Sequence, residues 1–254
     1  MTDGVISELS SSDKPTIWGP WSTLLWGAFV MVIFNIIQAV ICVAFLVADR
    51  AEHHAKHSPT TLDVRTVVEN GTVLSVGTMV TTVLCCTLIA GIIKLKRNAD
   101  LRDYLCLKMV PLLTLLKWVG IMVLVDAASD GLTCITGHPI VPEFSKNIFE
   151  TAKPVWMLWV AVVIGAPLFE ETLYRGFLFR GLERSRIRAL GAAILVTTAW
   201  AALHVQYDFF EIFLVWIAGL AMSAGRYFTR SLWVPVAMHA TMNAIATVEA
   251  AVLK

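Results

Sequence analysis

The sequence predicts an all-α fold, a polytopic transmembrane helix bundle of about seven spans with interfacial amphipathic helices. Two observations carry that expectation. Of the 254 residues 57% are hydrophobic and 15% charged, with a mean hydropathy of +0.72, a balance outside that of an ordinary soluble domain. The apolar residues also gather into long runs, and about 20 residues at ~1.5 Å each suffice to cross a ~30 Å hydrocarbon core.

Seven such runs can be marked: Leu24 to Val47, Val73 to Ile93, Met109 to Val125, Pro154 to Phe179, Ala189 to His204, Phe210 to Gly225 and Leu232 to Leu253. Three of them are short or interrupted by polar residues. The chain is expected to divide at residue 108, into an amino-terminal tail with two spans and an interfacial segment, 1–108, and a transmembrane core, 109–254.

What precedes the first run is polar. Met1 to Gly19 sets Asp3, Glu8 and Asp13 against Lys14, which is not the basic start of a secretory signal. A net charge of +1 gives no reason to expect nucleic acid as a partner. The five cysteines, Cys42, Cys85, Cys86, Cys106 and Cys134, form no CxxC pair. They read as small core residues rather than as a disulfide framework or a zinc ribbon.

The connecting stretches set the orientation, because short cytoplasmic loops are enriched in Lys and Arg. With the amino terminus inside, Lys14, Lys94 to Lys108, Arg175 to Arg188, Arg226 and Arg230 fall in the cytoplasm, against Arg50, Lys56, Arg65, Lys146, Lys153 and Lys254 outside. Lys117 is left within a span. An integral protein of the plasma (inner) membrane with a cytoplasmic amino terminus is expected.

Between the runs, Lys94 to Lys108 alternates basic and apolar residues, as a helix lying among lipid headgroups would, and Arg180 to Arg188 invites the same reading. The loop holding His53, His54 and His57 has the composition of solvated side chains more than of a metal site. Asp126 to Lys153 carries no legible chemistry. Internal repeats, a glycine-rich phosphate loop and low-complexity tracts are absent from the sequence.

Chemistry concentrates in Phe169 to Gly176, Phe-Glu-Glu-Thr-Leu-Tyr-Arg-Gly, where two carboxylates end the uncharged run Pro154 to Leu168. Two unpaired charges at membrane depth would cost roughly 5 kcal/mol or more, so partners are required. Residues four apart share a helix face, so Glu171 can pair with Arg175, while Glu170, ~100° round the axis, is left for another helix.

Downstream, His204 lies four residues after Trp200, and His239 four before Asn243. A carboxylate, two imidazoles and an amide on separate helices are the groups needed to hydrolyse an amide. Glu170 is the candidate base for a water molecule, His204 its orienting acceptor, and His239 with Asn243 the donors to a developing oxyanion.

Taken in order, Glu170-Glu171-Thr-Leu-Tyr-Arg175-Gly176, Trp200 to His204 and His239-xxx-Asn243 resemble the CAAX protease and bacteriocin-processing (Abi) family of intramembrane peptidases. The resemblance covers roughly Pro154 to Asn243, and Trp200 stands where that family usually has phenylalanine. It implies a glutamate-type endopeptidase, with Glu170 and His204 handling the water, His239 and Asn243 holding the oxyanion, and Glu171 and Arg175 as supports. No cofactor is expected. Zinc is the alternative, since Glu170, His204 and His239 have the ligand types of a catalytic zinc site.

The partners to expect are membrane lipids and a peptide or protein substrate, lipidated in the prenylated CAAX case. His204 closes a span that runs away from the cytoplasmic side, so the fifth helix must tilt, start later or turn within the membrane at Gln206 to Asp208. A cytoplasm-facing, water-filled cavity among the last four spans is expected. Two other functions compete: a non-catalytic membrane scaffold or bacteriocin self-immunity protein, and a proton-coupled transporter, the latter disfavoured by the lack of inverted repeats.

Overall fold

The computed structural model describes residues 17–55 and 64–253, so the expectations placed on residues 1–16 and on His57 fall outside it, as does the His53 side chain. Among the described residues there is no strand, and the all-α bundle is borne out. Its helices are α1 (Pro20–Ala55), α2 (Val64–Val68), α3 (Gly71–Leu95), α4 (Leu101–Leu105), α5 (Leu112–Thr136) and α6 (Glu143–Thr151). They continue with α7 (Val155–Leu182), α8 (Arg188–Ala201), α9 (Phe209–Thr229) and α10 (Trp233–Val252).

The span count differs from seven. Among the described residues five helices, α1, α3, α5, α7 and α9, are long and apolar enough to cross a membrane. Helix α8 has only 14 residues, or ~21 Å of rise, too little for a bilayer core. Helix α10 has 20 residues but spends His239, Asn243 and Glu249 within them. Length is what α8 lacks, whereas the polar residues of α10 are the reason it falls below the apolar standard.

Burial separates the lipid-facing helices from the inner ones. A third of the apolar window of α3, α7 and α9 is buried, but only 6% of that of α1 and α5. Val32, Ile36, Val40, Val43 and Val47 of α1 are exposed apolar side chains, as expected of a helix whose solvent is acyl chain. The main core runs from Val30 and Ile89 through Phe177 to Trp200, Met222 and Met238, and a smaller cluster of Ile148, Ala152 and Leu158 lies on the α6 side.

The two ends are chemically distinct. At one, the Leu232 N–H donates to the Cys106 carbonyl at 3.0 Å, the Ser231 hydroxyl to that of Lys108 at 2.7 Å, and Arg230 pairs with Glu183 at 3.1 Å. This end gathers the segments that hold Lys94 to Lys108, Arg180 to Arg188 and Arg230. At the other, the ring of His138 stacks on Phe210, that of Phe144 meets Tyr207 edge-on, and the Gly71 N–H donates to Thr151 Oγ1 at 2.7 Å. Arg175 and Arg226 are fully buried inside helices, so neither acts as a loop charge.

Two local expectations change. Lys94 to Lys108 is not one interfacial helix: α3 ends at Leu95 and α4 spans five residues, with Tyr104 and Leu105 turned inward. Tyr104 stacks on Phe177, which outweighs lipid contact for that face. Arg180 to Arg188 is the end of α7 followed by a turn. The stretch 126–153, where no chemistry was legible, holds nearly half of α5 and the amphipathic α6, whose Ile148 is buried.

Candidate active site

Helix α7 holds both glutamates and is not uniform. Val160–Gly165 and Thr172–Leu178 are π-helical, and the bond from the Ala166 N–H to the Ala161 carbonyl spans five residues. The next donor in that wide ladder would be the N–H of residue 167, but Pro167 has none. The carbonyl it leaves without a donor is that of Val162, and Asn243 Nδ2 reaches it from α10 at 2.7 Å. A proline on one helix thus sets the position of an amide on another.

In the second wide turn the Arg175 carbonyl accepts from Arg226 Nε of α9 at 3.1 Å. Each π-helical stretch is therefore tied to a neighbouring helix by a side chain bonded to one of its carbonyls.

Glu171 and Arg175 form the expected pair, at 3.0 Å with both side chains fully buried. The guanidinium is further held by the Gly219 carbonyl at 3.1 Å and lies over the Trp200 ring, 4.6 Å from its centroid. A Cβ at Gly219 would meet Thr197 Cγ2 at 2.7 Å, Arg175 Nη2 at 2.9 Å and Trp200 Cζ3 at 2.9 Å. Only glycine lets α9 come this close.

His239 is not free to face Glu170: its Nδ1 lies 2.9 Å from the same Glu171 Oε1 that binds Arg175. A carboxylate paired with arginine accepts, so Nδ1–H donates and Nε2 is left to face outward. His204 makes the same commitment differently. Its Nδ1 lies 3.0 Å from the Trp200 carbonyl, which can only accept, so a neutral His204 carries its lone pair on Nε2.

Trp200 connects the rest. Its indole Nε1–H donates to Glu170 Oε2, and its ring meets those of His204 and His239 edge-on, with centroids 4.9 and 5.3 Å away. A phenylalanine at position 200 would have no N–H to give.

Burial orders the cluster in two layers. Glu171, Arg175 and His239 are buried, whereas Glu170, His204 and Asn243 are half-buried. Glu170, His239 and Arg175 are all near enough to act electrostatically on His204. His204 itself sits in the turn between α8 and α9, which ends at the capping box of Asp208 and Glu211. The chain reverses here, after the 14 residues of α8.

A cavity of about 140 Å³ reaches Asn243, lined also by Val162, Leu158 and, from α6, Phe144 and Phe149. It lies toward the α6 side rather than the basic end, where an opening was expected. Among the described residues no three His, Cys, Asp or Glu side chains gather into a group that could hold an ion.

Reading the sequence missed Ser223 and Thr197, buried hydroxyls 3.1 Å apart beside Arg175. The Gly219-x-x-x-Ser223 spacing, small residues one turn apart on an apolar helix, was the available signal. It also missed Arg226.

The part of the chain that holds the cluster is similar to a known family of membrane endopeptidases. Residues 152–245 match the family described as Type II CAAX prenyl endopeptidase Rce1-like, which bears out the resemblance carried by the glutamate, histidine and asparagine motifs. No curated protein and no solved structure matches the chain.

Proposed function

We propose that the chain hydrolyses a peptide bond within the membrane with a water activated by Glu170 and His204, and with His239 and Asn243 as oxyanion donors. The observation that carries this reading is the position of Trp200, which hydrogen-bonds Glu170 while its ring adjoins both imidazoles. The substrate is a membrane-held peptide or protein, the prenylated CAAX class being the one the family description names.

In the proposed step, Glu170 takes a proton from water as the water oxygen attacks the carbonyl carbon, and the His204 Nε2 lone pair accepts the second water proton as a hydrogen bond. The carbonyl electrons move onto oxygen, where His239 acting as the imidazolium, with Nδ1–H on Glu171 and its second proton on Nε2, and the uncommitted N–H of Asn243 oppose the negative charge. Collapse breaks the C–N bond, and the proton held by Glu170 passes to the leaving amine. Glu171 keeps the His239 ring oriented, and Arg175 balances the Glu171 charge.

The gathering of Lys and Arg at one end supports a cytoplasmic amino terminus and an orientation typical of the inner membrane. The competing reading is a scaffold or self-immunity protein, in which the polar cluster only locks helices together. Glu170→Gln in vesicles containing a reporter peptide separates them. Turnover is expected to vanish while thermal stability stays within about 1 kcal/mol of the parent, since the amide can still accept from Trp200. Full turnover in the variant would overturn the assignment.

A further inference from the structure

A second site lies at the basic end of the bundle, between the start of α5 and the end of α9. It is a cavity of about 670 Å³, and none of the hydrolytic residues lines it. Helix α5 contributes Thr114, Lys117, Trp118 and Ile121, spaced i, i+3, i+4 and i+7 and so forming one stripe. Lys108 precedes the helix, and Phe228 closes the opposite wall.

The groove has an order of polarity. Lys108 and Lys117 are exposed, and neither has an ion-pair partner among the described residues. Directly beside Lys117 the lining becomes apolar, with the Trp118 ring stacked on Phe228 at 6.2 Å and 17°, and Ile121 follows one turn beyond Lys117. Cations at the mouth and an aromatic wall running inward match an anionic headgroup followed by an acyl chain.

We infer that this groove binds an anionic phospholipid, its phosphate held by Lys108 and Lys117 and one chain lying along Trp118, Ile121 and Phe228. Charge complementarity selects this occupant. The groove opens at the end where Lys and Arg collect, the end read as cytoplasmic, and anionic lipid enriches that leaflet. A topology anchor would need the charges alone and no cavity. The inference does not depend on the proposed peptidase activity.

The test uses the full chain, purified in neutral detergent and stripped of lipid, with native mass spectrometry during titration by phosphatidylglycerol or by phosphatidylcholine of the same chains. Phosphatidylglycerol is expected to bind on the order of tenfold more tightly. Lys108→Gln with Lys117→Gln should abolish that preference, Lys108→Arg with Lys117→Arg should keep it, and Lys94→Gln with Arg97→Gln, at the same end but outside the groove, should leave it intact. Equal binding of the two lipids by the parent chain overturns the inference without any variant. So does a preference that survives the paired glutamines, or one that the Lys94 and Arg97 variant loses equally. Displacement of phosphatidylglycerol by millimolar inorganic phosphate would assign the groove to a free anion, and displacement by a peptide carboxylate to a polypeptide, and either would overturn it.

Discussion

Trp200 donates its indole N–H to the Glu170 carboxylate across two helices 30 residues apart in sequence. A hydrogen bond to an ionised group is worth roughly 1.5 to 3 kcal/mol, and here it holds the carboxylate that is proposed to activate water. Trp200→Phe keeps a ring beside His204 and His239 and removes only the donor. The variant is expected to fold and to lose about tenfold or more in turnover, read as kcat on a reporter peptide in vesicles. Unchanged kcat would mean that the contact does not orient Glu170 during the reaction.

Glu171 is predicted to behave unlike its neighbour. Its Oε1 answers both Arg175 and His239, so Glu171→Gln leaves a buried guanidinium without its counter-charge. Breaking a buried pair from one side costs roughly 3 to 5 kcal/mol. Thermal unfolding in detergent should therefore separate Glu171→Gln, which loses stability and turnover together, from Glu170→Gln, which loses turnover alone.

The link between Pro167 and Asn243 can be read by a double-mutant cycle. Asn243→Ala strands the Val162 carbonyl and is expected to cost about 1 to 3 kcal/mol of stability. Pro167→Ala restores a backbone N–H that can serve that carbonyl from within α7. In its presence Asn243→Ala should cost less, with a coupling of about 0.5 to 3 kcal/mol, and additive effects would break the proposed connection.

Gly219→Ala tests the close approach of α9. The added methyl would press on Thr197, Arg175 and Trp200 together, and overpacking of that kind costs roughly 1 to 3 kcal/mol. Lower thermal stability accompanied by lower turnover is expected, because the two rigid contacts, guanidinium and indole, are the ones that orient the glutamates. Gly120, where a Cβ would meet nothing, is the matched control on α5 and should tolerate alanine.

Residue types and local spacing determined the all-α membrane bundle and its principal apolar runs. They also determined the Glu171–Arg175 pair, since partners four residues apart on one helix meet whatever the rest of the chain does. Tertiary structure decided that His239 serves Glu171, that Trp200 serves Glu170 and that Asn243 completes the backbone at Val162. Those partners are 68, 30 and 81 residues apart, and each contact depends on how far one helix is rotated against another. Two π-helical stretches in α7 add to the difficulty. Each widened turn shifts the faces that follow it away from a 3.6-residue count, so periodicity along the sequence could not say which way the glutamates point.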